Sequence, residues 1–574
     1  MIDELNILVA GAAGQGMQTI GFILGKVFVR GGYEVFATQN NESRIRGGHN
    51  FFHVRVSQKA VRAAAMPLQA LIALNQESIE KHRDRVASSG VIIFDSEKCK
   101  VPGSDPRFLG VPLERMAIEK GGNRIFENSV AIGATLAILG WPSQALEDFL
   151  REYFVAKADV AEGNVKAALA GYESARKKAE GYEGLRIRPK RSKPRMFIAG
   201  HEAVAIGALT AGCQFMSAYP MSPSTSIMVY LAGKADGFDM VVEQAEDEIA
   251  AINMAIGASY AGIRSLTATS GGGFSLMAEA FGLAGVTETP LVLVEAQRPG
   301  PATGLPTRTE QADLLFVLHA SQGEFPRVLL APGTAREAFY TTIKAFDLAE
   351  KYQVPVVILT DQFLADSYFT EPRFDVSHIQ TDRHLLSEKN ARNLKEYKRY
   401  QITRSGVSPR SIPSAFGLEI VADGHEHDED GHITEDAEIR KKMVEKRARK
   451  MAGLAREIDP PQRVGDDKAD LLLVGWGSTY GPMVEAIDIL NDHGISVGGI
   501  HLNGLWPFPG RQMVKFLGEA RKWAVVENNS TGQLARLIQM EFQRKPDGMI
   551  LKYDGRPFMA EEIVEGFTRE VVDR

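Results

Sequence analysis

The apolar positions of this chain fall into short runs and helical repeats that alternate along most of its length. Leu5-Asn6-Ile7-Leu8-Val9-Ala10 reads as a strand, Gly11-Ala12-Ala13-Gly14-Gln15-Gly16 as a turn, and Met17 to Val29 as a helix. The helix follows from Ile20, Ile23, Leu24 and Val27, which recur at its 3.6-residue period. Val91-Ile92-Ile93-Phe94 predicts another strand and 128–139 another helix, so the alternation continues to about residue 180. The basic, proline-containing stretch from Arg186 to Arg195 predicts an extended, solvated linker. Beyond Met196, Leu266–Thr269, Pro290–Val294 and Pro355–Leu359 are short, branched and turn-bounded, as strands of a parallel sheet buried on both faces should be. From about 370 to 465 polar residues dominate. That segment reads as a surface extension with a helix starting at Thr434, acids Glu435 and Asp436 in its first turn, and bases from Arg440 to Lys450. Ala469–Gly475 predicts a strand, Gly475–Ser478 a turn, Pro482 to His493 a helix, and Trp523–Glu527 a strand ending at Asn528-Asn529. The expected fold is α/β with three α/β domains: 1–185, a linker at 186–196, 197–380, a polar extension at 381–465, and 466–574.

Composition narrows the class. The 574 residues are 44% hydrophobic and 24% charged, which suits a globular protein of several cores. A net charge of −6 without a basic stripe argues against nucleic acid. No apolar stretch reaches the ~18 residues a membrane helix needs, and the N-terminus enters its first strand without a cleavable signal pattern, so a cytoplasmic protein is expected. The only cysteines, Cys99 and Cys213, lie far apart. They build neither a disulfide framework nor a metal knuckle, and this chain alone cannot ligate an iron–sulfur cluster.

Several constellations carry candidate chemistry. In Tyr219-Pro220-Met221-Ser222-Pro223-Ser224-Thr225 two prolines stiffen a loop bearing three hydroxyls. It reads either as a grip on a small polar substrate or as a strand-to-helix turn with Ser224 or Thr225 as N-cap. The glycines of Gly11–Gly16 stand where a strand hands over to a helix, so backbone N–H groups would face an anion such as a phosphate. Their order is not the dinucleotide fingerprint, which disfavours an NAD-linked dehydrogenase; a plain tight turn is the alternative. Arg44 and Arg46 in Ser43–Gly48 offer guanidinium forks for the same phosphates, or surface ion pairs. Glu243–Glu248 precedes a helix with an apolar face of Ile249, Ile252, Ile256 and Ser259; most of its acids read as a solvated first turn, and one could point inward. Thr269-Ser270-Gly271-Gly272-Gly273-Phe274 would let a ring approach the backbone closely. Arg308, in Pro306–Gln311, is a candidate carboxylate fork. The His- and acid-rich run 425–432 fits neither an EF-hand nor a zinc spacing, so no metal site is expected. A P-loop, a Ser-His-Asp order and a G-x-S-x-G elbow are all missing from the sequence.

Taken together these residues resemble the 2-oxoacid:ferredoxin oxidoreductases. Tyr219–Thr225 is similar to the YPITPST signature of the family's α subunit, with Met221 in place of Ile and Ser222 in place of Thr. Gly11–Gly16 is similar to the GxGGQG signature of its γ subunit, with Ala13 in place of Gly. Gln244–Glu248, Thr267–Gly271, Gly304–Thr309, Val526–Asn529 and Gly532–Leu534 follow in the family's order, as in a γ–α fusion. The resemblance implies a γ-type, coenzyme A-associated domain, a pyrimidine-type thiamine-diphosphate domain and a transketolase C-terminal-like domain. It implies CoA-dependent oxidative decarboxylation of a 2-oxoacid, foremost 2-oxoglutarate, with pyruvate or branched-chain oxoacids as alternatives, thiamine diphosphate as electron sink and ferredoxin as electron acceptor. By the same resemblance Glu246 would meet the pyrimidine, Ser222 and Arg308 the substrate, and Tyr219, Pro220, Thr269, Ser270 and Gly271 the cofactor. Gly11, Gly14, Gln15, Gly16 and Arg46 would hold coenzyme A phosphates. The diphosphate with its Mg²⁺ and the iron–sulfur cluster would sit on a β subunit, giving an (αβ)₂ assembly active only as a complex. A non-catalytic CoA- or nucleotide-binding scaffold is the reading from another class.

Overall fold

A computed structural model of the chain describes residues 3–43, 48–101, 103 and 105–573. These residues form two compact units, one reaching to Ile198 together with Asp366–Arg373, the other comprising Ala199–Ala365 and the remainder from Phe374.

The first unit is built on an eight-stranded mixed sheet among the described residues. Its central strand, Glu4–Ala12, runs parallel to Leu68–Ala73 and antiparallel to His49–Ser57. The helix Met17–Arg30 buries Ile20, Ile23, Leu24 and Val27, the residues its sequence period selects. The expected helix at 128–139 is Glu127–Ile138. One expectation is refined here and one changes. The stretch 186–195 has no regular structure and is mostly exposed, as expected, but it is pinned to the unit: Ile187 N bonds Leu139 O at 2.9 Å, Lys190 N bonds Gly31 O at 2.7 Å, and Ile187 is buried. Residues 366–373, expected inside the second domain, return to the first unit, where Tyr368–Glu371 pairs antiparallel with Glu34–Asn40. Thr370 Oγ1 holds Val35 through both N and O, and the Tyr368 ring stacks on Phe197 at 5.1 Å.

The second unit carries two sheets among the described residues. In spatial order the first runs Gly504–Trp506, Val328–Leu330, Pro355–Asp361, Leu291–Gln297, Ser265–Thr269, Phe215–Ala218 and Val241–Gln244, and all its pairings are parallel except that of Gly504–Trp506. The other, five-stranded, contains Leu471–Trp476 and Lys522–Glu527 as parallel neighbours. One apolar core joins both sheets, uniting Phe274, Leu293 and Val357 with Trp476, Leu502 and Val525, so the segments expected as second and third domains share a compact unit.

The polar extension is anchored rather than superficial. Its helix is Ala437–Glu457, one turn later in its start than expected, because the Asp436 carboxylate is the N-cap and accepts from Glu438 N and Ile439 N at 2.9 Å. Lys446 and Lys450 of this helix are fully buried, each against a carboxylate oxygen of the equally buried Glu288. Burial pulls the Lys450 ammonium down to about 7. Glu350 in turn receives Arg264, Arg383 and Arg410. In the 425–432 run Glu426 pairs with Arg440 and Arg447, and the His427 ring lies 4.0 Å from that of Tyr400.

A buried ion cluster that loses its one anion leaves uncompensated charge in a dry interior, at a cost of about 3–5 kcal/mol. Glu288→Gln should therefore lower the thermal unfolding midpoint by several degrees, and Lys450→Met in the same chain should restore part of it. Scanning calorimetry of the two variants checks this; an unchanged midpoint in Glu288→Gln would contradict the anchoring role.

Candidate functional site

In the second unit the parallel strands end at one edge, and the loops singled out in the sequence follow their carboxyl ends. Ligands bind there in open α/β sheets because loops and helix N-termini replace the ladder. Phe215–Ala218 leads into Tyr219–Pro223, Val241–Gln244 into Ala245–Asp247, Ser265–Thr269 into Ser270–Gly273, and Leu291–Gln297 into the loop containing Arg298 and Arg308. These strands are sheet neighbours, so motifs far apart in sequence become adjacent.

Within the proline loop Ser222 is exposed and Tyr219 is 40% exposed. The Ser222–Pro223 bond is cis. Ser224 is buried and spends its hydroxyl on Met221 O at 2.7 Å, while Thr225 opens a helix. Thr269 Oγ1 lies 3.9 Å from Met221 Sδ, which ties the proline loop to the next strand.

The acidic segment sorts itself by helix phase. Asp247 is the N-cap of the helix Glu248–Tyr260 and accepts from Ala250 N at 2.7 Å. Glu243 and Glu246 are exposed, whereas Glu248 is 4% exposed and its Oε1 has no hydrogen-bond partner. The inward acid is thus Glu248, two residues beyond the one expected. Ile249, expected on the apolar face, is 50% exposed, since the same phase turns it outward.

Glu248 faces the glycine turn. A methyl added at Gly273 would lie 2.7 Å from Glu248 Oε1 and overlap Thr269 Oγ1, so only glycine leaves this wall open. Ser270 is fully buried and its hydroxyl has no partner. A cavity of about 420 Å³ opens beside it, lined by Ser270, Gly271, Gly272, Arg298, Asp313 and Phe316 among others. Arg298, which the sequence reading missed, donates from Nη1 to Ser222 O at 2.7 Å. Arg308 is half-buried further along the same loop, where its Cβ would meet a methyl at Gly555 at 3.2 Å.

The segment Val526–Leu534 is a latch. Gln311 accepts from Asn528 N at 3.1 Å and donates to Trp476 O at 2.9 Å. The buried Glu527 carboxylate accepts from Leu534 N and Ala535 N at the start of the helix Gln533–Phe542. Burial pushes that carboxyl up despite these donors.

In the first unit Gly14 and Gly16 take positive φ of 88° and 74°. A side chain at Gly14 would meet open space, while Asn128 covers Gly16. Gln15 braces the loop from within, accepting from Ala12 N at 2.7 Å and donating to Leu74 O at 3.1 Å. Cavities of about 400 and 440 Å³ flank Gly14, one lined by Gln18, Asn41 and Asn50, the other by Asn123, Arg124 and Asn128. Arg44 and Arg46 lie outside the described residues. Cys99 and Cys213 are both buried free thiols, and burial pushes Cys213 up to about 12. Among the described residues no helix is long and apolar enough to cross a membrane.

Comparison with known proteins identifies the family. Residues 6–174 match the model for pyruvate ferredoxin/flavodoxin oxidoreductase, 206–446 that for the thiamine-diphosphate-binding region of pyruvate flavodoxin/ferredoxin oxidoreductase, and 469–563 core domain II of pyruvate:ferredoxin oxidoreductase. The chain is 33% identical to 2-oxoacid:ferredoxin oxidoreductase 2, subunit alpha, of Aeropyrum pernix over 99% of this chain and 98% of that one. It is 30% identical to 2-oxoglutarate oxidoreductase subunit KorA of Mycobacterium tuberculosis over 98% of this chain and 91% of that one. The solved 2-oxoglutarate:ferredoxin oxidoreductase of Magnetococcus marinus, which has 2-oxoglutarate, coenzyme A and succinyl-CoA bound, superposes with a TM-score of 0.92 at 31% identity, covering 99% of this chain and all of that one. On sequence and fold alike, the chain belongs to the 2-oxoacid:ferredoxin oxidoreductase family.

Proposed function

We propose that this chain is the α subunit of a 2-oxoglutarate:ferredoxin oxidoreductase and supplies the pyrimidine side of a thiamine-diphosphate site shared with a β subunit. The observation that carries this reading is Glu248: a dry carboxyl oxygen without a partner, facing a glycine turn beside a buried free hydroxyl. An aminopyrimidine ring fits such a place, since it needs a carboxyl group at one ring nitrogen, a polar contact near its amine and a wall without side chains. Glu248, Ser270 and Gly271–Gly273 would hold it. Bound there, thiamine diphosphate would supply the electron sink for decarboxylation. Glu248 Oε1 would hold the proton shared with the ring nitrogen, the role the family resemblance implied for Glu246. Ser222, with Arg298 fixed on its carbonyl, and Arg308 would orient the substrate's carboxylates. Gly14 and Gly16, with the N-terminus of the helix Met17–Arg30, and Arg46 would hold coenzyme A phosphates.

The remaining parts belong to partners. Two buried, separated thiols on this chain leave cluster ligation to the β subunit, together with the Mg²⁺-bound diphosphate, in an (αβ)₂ complex that passes electrons to ferredoxin. The domain organisation proposed is a γ-type domain to residue 185, a pyrimidine-type domain within 197–380 and a transketolase C-terminal-like domain at 466–574.

The chain mixed with its β subunit should reduce ferredoxin on 2-oxoglutarate and coenzyme A, and neither chain should do so alone. In that complex Glu248→Gln should lower kcat by about 10²–10⁴-fold, the scale of a lost proton-transfer group, while Glu246→Gln stays near the parent. Assembly on a sizing column must be unchanged for the comparison to count, and the reverse ranking would return the role to Glu246.

Substrate choice is tested by steady-state rates. We expect kcat/KM for 2-oxoglutarate to exceed that for pyruvate at least ~10-fold, and Arg308→Ala to raise KM by about 10–100-fold, as loss of one charge-assisted fork should. Equal efficiency on both acids would move the assignment to the pyruvate class.

A further inference from the structure

Behind the glycine turn lies a feature that the proposed roles do not use. Glu295 is on the strand Leu291–Gln297, in the interior of the sheet, on the same rung as Thr269 of the neighbouring strand. It is fully buried, and neither of its oxygens finds a hydrogen-bond donor. Its carboxyl faces that of Asp313. Two ionised carboxylates are acceptors only and repel, so this arrangement is satisfied when a proton lies between them. Asp313 is fixed from the other side: its N–H donates to Gln297 Oε1 at 3.1 Å, and its Oδ2 would lie 2.5 Å from a methyl at Gly271. Asp313 lines the cavity of about 420 Å³ together with Ser270, whose buried hydroxyl is also without a partner and marks the wall as built for a polar ligand.

We infer that Glu295 and Asp313 share one proton at neutral pH, with Glu295 the positioning residue that donates it and Asp313 the group that offers its outer oxygen, as a hydrogen-bond acceptor, to the molecule bound in the cavity. The inference rests on the proposed function only in taking that molecule to be the substrate or cofactor of the oxidoreductase.

The electrostatics agree with the geometry. Burial, then Asp313 and Asp361, pushes the Glu295 carboxyl well above the usual carboxylate range, with Arg298 pulling weakly the other way. Burial pushes Asp313 up to about 6, and the proton on Glu295, directed at it, holds it from rising further. Glu310, pushed up to about 7 by burial and by Asp313, and Asp361, pushed up to about 6 by burial, complete the charged groups facing the pair. Near pH 7 the pair therefore carries a single negative charge. As pH falls through about 6, Asp313 takes up its own proton and ceases to be a free acceptor.

Two measurements test this. In infrared spectra of the full chain at pH 7, the protonated-carboxyl stretching absorption should lose one component in Glu295→Gln, over the background that Glu310 leaves, and keep that component in Asp313→Asn. In the assembled enzyme kcat/KM should fall on an acid limb near pH 6. Asp313→Asn should flatten that limb. Glu295→Gln, whose amide still donates, should leave it in place, and Glu295→Leu, which removes the donor, should move it to higher pH. A structural role alone would not move the limb. A band undiminished in Glu295→Gln, or a limb that survives Asp313→Asn, overturns the inference. If the complex turns over no 2-oxoacid, the functional assignment fails while the infrared result still decides the pair.

Discussion

The organising constraint in the second unit is the desolvation imposed where buried parallel strands stop together. Leu291–Gln297 and Ser265–Thr269 have sheet neighbours on both sides, so any side chain at their carboxyl ends is dry whatever its chemistry. An apolar residue there would simply extend the core. Glu295, Ser270 and Glu248 instead bring polar atoms into that edge without partners, each of which costs about 1–3 kcal/mol in a folded protein. Such a cost persists where a ligand or a shared proton offsets it, and three such side chains beside one glycine turn support the proposed binding place.

The same logic, with the opposite outcome, organises the extension. Glu288 and Glu350 are as deeply buried as Glu295, but each is surrounded by cations: Lys446 and Lys450 on the first, Arg264, Arg383 and Arg410 on the second. The cations on Glu288 hold that carboxyl below its usual range, while Glu295, facing acids, is pushed above it. Burial alone therefore does not mark a functional acid. What separates the two kinds is whether the facing side chains neutralise the charge or leave it to be neutralised by a proton or a ligand.

Much of this was legible in the sequence because strands buried on both faces are written as uninterrupted apolar runs. Leu266–Thr269 and Pro355–Leu359 came through for that reason, as did the helix beginning at Met17, whose period is unambiguous. Tyr368–Glu371 did not: it pairs with a strand over 300 residues earlier, and its four residues carry no period of their own. Glu246, singled out by the family resemblance, is exposed, and the acid that helix phase turns inward is Glu248. Charge density shows that a first turn is acidic, but which acid faces inward depends on the cap, and Asp247 as N-cap rotates Glu248 into the core and Ile249 out of it. A signal for Glu295 was present, an acid closing the apolar run Leu291–Val294, where an ionised side chain has no solvent to reach. Arg298 had none, since one arginine in a loop reads like any other until Ser222 O is seen to accept from it.

The arrangement also explains why the glycines and the acids occur together. A carboxyl group desolvated by folding needs no further loss of water when a ring arrives, so its position is set in advance and nothing is spent on reorganisation. That advantage exists only if the ring can reach it, and a single methyl at Gly273 would fill the space in front of Glu248 Oε1. In the proposed reading, dry acid and bare backbone are one device: the strand ends remove water, the glycines remove side chains, and the polar wall that remains would admit a flat ligand. Ser222 and Tyr219 are exposed on the neighbouring loop.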